Sequence, residues 1–111
     1  MKEETEKIEA LFYRGIRLHD FGVNNWILDK NQALDVINEL ETLKIPILGG
    51  DIYEFDNGIP RPNYDNWYCD RQSGESWDDY VYRSINHSRT YINNYHNPSR
   101  KDVYFALVVK S

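Results

Sequence analysis

Apolar residues recur along this chain at two different spacings, and the changes of spacing mark its elements. Residues 3–14 place Ile8, Leu11 and Phe12 on one helical face behind an acidic first turn of Glu3, Glu4 and Glu6, with Gly15 as a stop. Phe21–Asn25 reads as a turn, and Trp26-Ile27-Leu28 as a short strand or extended link. Asp29 followed by Gln32 has the spacing of a capping box. Behind it Ala33, Ile37 and Leu40, with Val36 and Leu43 at the margins, form the stripe of a second helix. Pro46 keeps Ile45 out of the helical region, so this helix ends near Lys44.

Residues 47–56 have strand character interrupted by Gly49-Gly50, which predicts a bulge or a close backbone approach. Asn57-Gly58 is the strongest hairpin signal in the chain. On the return path Pro60 and Pro62 confine the first part to an edge or an irregular course, so regular pairing is expected over Tyr64–Cys69. Ser76 and Asp79 repeat the capping-box spacing. The helix they start, Trp77 to about Tyr95, has a stripe of Trp77, Tyr80, Val81, Ser84, Ile85, Ser88, Tyr91, Ile92 and Tyr95. Its two serines permit close approach to a sheet, and Trp26 and Trp77 are assigned to the core. Residues 102–110 are a last strand, apolar on both faces, which predicts a central position. There is no regular βαβ alternation. The expected fold is therefore α+β: a small antiparallel or mixed sheet against about three helices, in the order α-α-β-β-α-β. At 111 residues a single domain over residues 1–111 is expected.

Composition narrows the function. No apolar run approaches the roughly 20 residues of a membrane span, and the first residues lack the pattern of a secretion signal. The single cysteine, Cys69, cannot build a disulfide framework, which suits a reducing cytoplasm. A net charge of −5 argues against nucleic-acid binding. That charge is uneven: residues 51–79 hold eight acids and two bases, whereas residues 80–111 hold five bases and one acid. The acidic middle also carries Tyr53, Tyr64, Trp67, Tyr68 and Trp77. With nine Tyr and three Trp in all, the pattern favours an acidic, aromatic-studded face for a basic protein partner over an enzyme.

Catalytic and ligand chemistry finds little support. Cys69 has no nucleophile motif around it and reads as a packed small hydrophobe. His19, His87 and His96 lack metal-ligand spacing. Gly49-Gly50-Asp51 precedes a strand and not a helix, so the context of a phosphate loop fails. Acids are too numerous for any one pair to mark an acid–base site. No cofactor, metal or catalytic residue is expected. The rival from another class is a small carbohydrate-binding domain, or another non-catalytic interaction domain, since Trp and Tyr beside Asp and Asn also suit a sugar.

Three runs go further. Gly22-Val23-Asn24-Asn25-Trp26, then Ile45 through Tyr53 with its Gly-Gly-Asp-x-Tyr core, then Tyr64-Asp65-Asn66-Trp67-Tyr68-Cys69 leading to Gly74-Glu75-Ser76-Trp77, occur in that order. Together they resemble bacterial immunity protein family forty of the polymorphic toxin systems, from about Gly15 to Val109. The resemblance implies a cytoplasmic antitoxin that binds a cognate toxin domain and blocks its active site or substrate access. It implies no catalysis, and neither a nucleic-acid nor a membrane partner. It leaves the toxin's identity open. A nuclease is one class that suits, because an acidic inhibitor can occupy a basic cleft as a phosphate mimic. The expected contact residues are Asp51, Glu54, Asp56, Asp65, Asp70 and Glu75 as charge partners and Tyr53, Tyr64 and Trp67 as anchors. Plain structural roles compete: Tyr53 and Tyr64 suit packing across a hairpin, Asp56 and Asp65 suit turns, and for Trp67 the core is slightly favoured.

Overall fold

The structure, a computed structural model, describes residues 10–18, 26–99 and 101–109. Residues 10–12 are helical and Gly15 donates its amide to the Phe12 carbonyl, closing a turn where a stop was expected. Residues 13–14 already form the turn, and residues 3–9 of that expected helix, the Phe21–Asn25 turn and His19 lie outside the described residues. The elements that follow are β1 (Ile16–Arg17), β2 (Trp26–Ile27), α1 (Lys30–Thr42), β3 (Ile47–Asp56), β4 (Ile59–Tyr68), α2 (Trp77–Asn94) and β5 (Val103–Val109). The fold is α+β, with two antiparallel sheets: a β1–β2 ribbon and a three-stranded sheet in the order β4-β3-β5.

Local chemistry sets the boundaries. At the start of α1 the Asp29 carboxylate accepts from the Gln32 amide while the Gln32 side chain accepts from the Asp29 amide, a complete capping box. At its end Lys44 takes a left-handed backbone (φ 57°), and the amides of Lys44 and Ile45 return to the carbonyls of Glu41 and Leu40. This is a Schellman ending with a non-glycine residue in the left-handed place, followed at once by Pro46. At α2 only half of the expected box forms: the Ser76 hydroxyl accepts from the Asp79 amide. Asn57 (φ 53°) and Gly58 (φ 79°) make the two-residue turn joining β3 to β4, the doubly left-handed pair that matches strand twist.

The β4 pairing extends further than the prolines suggested. Pro60 and Pro62 stand opposite Phe55 and Tyr53 in register. They remove two amide donors, which is tolerable because β4 is an edge strand and one of its sides has no strand to serve. The expected central place of the last strand is corrected: β3 is central and β5 lies at the edge. Two apolar faces arise on β5 for another reason. Phe105 and Leu107 pack toward the helices, and Ala106 and Tyr104 toward the ribbon, so both faces are covered by other layers except at Val108, which is exposed. Leu28 also exchanges both backbone hydrogen bonds with Phe105, at 2.9 and 2.7 Å, along the free edge of β5.

The main core lies between sheet and helices. It joins Ala33, Val36, Ile37 and Leu40 of α1, Val81, Ile85 and Ile92 of α2, and Ile47, Ile52, Trp67, Phe105 and Leu107 of the sheet. The two serines on the α2 stripe are fully buried. Ser84 Oγ accepts from the Ile47 amide at 3.1 Å, and Ser88 Oγ accepts from the Trp67 indole nitrogen at 2.9 Å. On the other face of the sheet, Leu18, Ile27 and Ala106 form a smaller cluster with Tyr53, Phe55 and Tyr104. Among the described residues the ribbon thus covers one half of that face and nothing covers the Gly49–Asp51 end. Trp77 corrects its expected core assignment: it is partly exposed, with its indole nitrogen donating to the Lys44 carbonyl at 3.2 Å. It closes the end of α1 from outside. Trp26 is half-buried against the core and meets Tyr13 edge-on.

Replacing Ser88 by Ala leaves the buried Trp67 indole N–H without an acceptor. The expected loss is about 1–3 kcal/mol, read as a lower urea midpoint at an unchanged denaturant slope.

Candidate functional site

The Gly-Gly-Asp-x-Tyr and Tyr-Asp-Asn-Trp-Tyr segments are far apart in the chain but adjacent in the sheet. Gly49 pairs with Tyr68, Gly50 with Trp67 and Asp51 with Asn66. Both glycines are required by close approach. A Cβ on Gly50 would collide with the Trp67 ring and, at 2.7 Å, with the Ala106 carbonyl oxygen. A Cβ on Gly49 would collide with the β4 backbone at Trp67 and Tyr68. The predicted bulge is present too: β3 carries an extra residue against β5 between Ile47 and Gly49.

Strand alternation then sorts the side chains. Trp67 points into the core, is 5 % exposed, and stacks on Tyr91 with ring centroids 4.7 Å apart. Its neighbours Asn66 and Tyr68 are exposed. On the bare half of the sheet, Asp51, Asn66, Tyr68, Asp70 and Val108 surround an open depression of about 320 Å³ floored by Gly49 and Gly50. Tyr68 and Asn66 were not among the expected contact residues, although Tyr68 was counted with the aromatics of the acidic segment. Period-two alternation outward from a buried Trp67 was the signal that locates them.

Midway along β4 the register breaks. Asp51 pairs with Asn66 and Tyr53 with Pro62, so Asn63, Tyr64 and Asp65 stand opposite Ile52 alone. At the crest Tyr64 has a left-handed backbone (φ 70°), a conformation worth about 1–2 kcal/mol of strain in a residue with a Cβ. Asn63 Oδ1 accepts from the Asp65 amide at 3.0 Å, and Asn66 Nδ2 donates to the Tyr64 carbonyl at 3.2 Å. From the end of α2, the Tyr95 hydroxyl accepts from Asn63 Nδ2 and donates to Asp65 Oδ2, both at 2.7 Å. Burial and then the Asp65 hydrogen bond push the Tyr95 hydroxyl up to about 12, so it remains a donor across the physiological range.

The six expected acids have different surroundings. Glu54 accepts from Asn97 Nδ2 at 3.0 Å and Ser99 Oγ at 3.1 Å, and Asp56 meets Arg61 at 3.4 Å across the hairpin. Asp65 is held by Tyr95. Glu75 forms a two-pronged pair with Arg83, 2.7 Å at each prong, and accepts from the Gln72 amide. Among the described residues no side chain pairs with the carboxylates of Asp51 or Asp70. Of the expected anchors, Tyr64 is 85 % exposed, Tyr53 is half-buried beneath the ribbon cluster, and Trp67 takes the core role.

Arg83 organises the loop between β4 and α2. Besides Glu75 it donates to the Asp70 carbonyl at 2.6 Å and to Cys69 Sγ at 2.9 Å, while the Tyr80 hydroxyl donates to the Cys69 carbonyl at 2.7 Å. Cys69 and His87 line one open hollow, but the sulfur's hydrogen-bond partner is Arg83. Burial outweighs the guanidinium and pushes the thiol pKa up, away from thiolate chemistry. Among the described residues no three His, Cys, Asp or Glu converge as a metal site, and no helix is long and apolar enough to cross a membrane.

Residues 17–109 match the family model of Immunity protein 40. The chain belongs to that family. The match starts in β1 and ends in β5, so it takes in both paired segments, the Tyr64 bulge and the Arg83 loop. Membership in the Immunity protein 40 family implies an immunity protein for a polymorphic toxin, a class that is generally non-catalytic. No protein of curated function and no solved structure matches the chain.

The Arg83 pairing, followed by the Gln72 amide, holds the Glu75 carboxyl down from its ordinary 4.5 to about 2. A depressed carboxylate stabilises the fold above its unfolded pKa, and that contribution is lost as pH falls through the folded value. The contribution of Glu75 should therefore fade between about pH 4.5 and 2. A Glu75→Gln variant should begin less stable at neutral pH and decline less across that window, as measured by urea unfolding at each pH.

Proposed function

We propose that this chain is a stoichiometric antitoxin that acts in the cytoplasm as a single domain, binding its cognate toxin domain directly. The contact is the acidic, aromatic side of the β3–β4 hairpin and the loop after it: Asp51, Tyr53, Glu54, Asp56, Tyr64, Asp65, Trp67, Asp70 and Glu75. Their roles divide. Asp51 and Asp70 meet basic groups of the toxin, Tyr64 supplies contact area, and the internally bonded acids and Trp67 shape the surface that carries them. Membership in an immunity family carries this reading. The carboxylates of Asp51 and Asp70, which have no side-chain partner among the described residues, support its location, because such a charge is available to an external group. Such a surface suits a toxin with a basic cleft, as a nuclease has, and occludes it without chemistry of its own.

Co-expression with the toxin domain encoded beside this chain should restore growth, and the two should co-purify as a stable complex. Loss of both would refute the assignment for that pair. Reversing Asp51 and Asp70 together to Lys should weaken binding by at least about tenfold at low salt and flatten its salt dependence. Folding stability should change by no more than about 0.5 kcal/mol per site, since neither carboxylate is paired among the described residues.

A further inference from the structure

Among the described residues three non-glycine residues have a left-handed backbone: Lys44, Asn57 and Tyr64. The first two serve chain reversals, a helix ending and a hairpin turn, where that conformation is needed to satisfy backbone hydrogen bonds. Tyr64 serves no reversal. It lies within a strand, and tyrosine is a poor occupant of this region compared with Gly, Asn or Asp.

The fold gains no packing from the arrangement. Among the described residues the Tyr64 ring makes no hydrogen bond and no ring contact, and the residue is 85 % exposed. Yet the backbone around it is carefully held. Asn63 spans the peptide on one side and Asn66 on the other. The Tyr95 hydroxyl ties Asn63 to Asp65 beneath it, and Tyr95 itself is seated edge-on to Phe105 with centroids 6.0 Å apart, so the tie reaches the core. A strained backbone, a rigid support and a projecting, unused aromatic ring are the requirements of an anchor whose ordering has been completed before its partner arrives.

We infer that Tyr64 is the central anchor of the toxin contact and that Tyr95 is the positioning residue that holds it ready. This rests on the immunity reading above. The partner it fits is a toxin surface with a concave apolar pocket that closes over a phenol ring and a basic rim that meets Asp51 and Asp70, which have no side-chain partner among the described residues. Tyr95 need not touch the toxin. It acts by fixing the peptide that carries Tyr64, so its effect on binding exists only while the Tyr64 ring is present.

The test uses the full-length chain and an inactivated form of the toxin domain encoded beside it. Tyr64→Ala and Tyr64→Asn should each weaken binding by roughly 30-fold or more, the loss of a hot-spot residue worth about 2 kcal/mol. Asn accepts a left-handed backbone readily, so the urea midpoint of Tyr64→Asn should equal or exceed that of the parent. Tyr95→Phe should weaken binding by about fivefold, mainly through faster dissociation. In a Tyr64→Ala background the same change should have no further effect on affinity. Unchanged affinity in Tyr64→Ala and Tyr64→Asn would overturn the proposal. So would a lowered urea midpoint in Tyr64→Asn, which would make the ring part of the fold, or a Tyr95→Phe loss of equal size without the Tyr64 ring. A parent chain that does not bind defeats the immunity reading itself, whereas a parent that binds alongside an unaffected Tyr64→Ala defeats the anchor alone.

Discussion

The seating of Trp67 across Gly50 is the contact on which the other layers depend. The ring lies where any side chain on residue 50 would have to be, and its nitrogen donates to Ser88 on α2. One side chain thereby joins the edge strand, the central strand and the long helix. It also stacks on Tyr91 and meets Phe105 edge-on, which extends the contact to β5. Because Trp67 is spent on the interior, strand alternation forces Asn66 and Tyr68 outward. Core packing and surface display are therefore two results of one placement.

Much of this was legible from residue spacing. Asp29 and Gln32, Asn57-Gly58, and the α2 stripe with its serines each have a local physical cause, and each formed where that cause acts. The failures were of long-range origin. The last strand looked central because both its faces are apolar, but burial on two faces does not distinguish a sheet interior from an edge flanked by layers. Trp77 followed the helical stripe yet stands outside the core, because the stripe outruns the neighbour it packs against. The edge position of Pro60 and Pro62 was legible but the regular ladder running through them was not, since only topology says which side of a strand needs its donors.

The candidate site divides along the same line. Composition marked out the acidic, aromatic segment as a stretch of chain, but not which acids are already engaged by the fold. Glu54, Asp56, Asp65 and Glu75 have internal partners that come from Asn97 and Ser99, Arg61, Tyr95 and Arg83. Apart from Arg61 these lie 8–45 residues away in sequence, where no spacing rule operates. Tyr64 was legible as an aromatic residue but not as a strained one, because its backbone angle follows from a register break between two strands.

The prolines of β4 have a consequence for how this molecule can meet another. An exposed strand edge ordinarily invites a foreign strand, because its backbone is a ready template that reads no side chains. Here two amide donors are missing, and the bulge interrupts the template immediately afterwards. A second copy of the chain therefore finds no continuous ladder along that edge. A partner that meets β4 finds side chains there and no continuous backbone ladder. Recognition of that kind can be rewritten one surface residue at a time, on a sheet whose register never has to change.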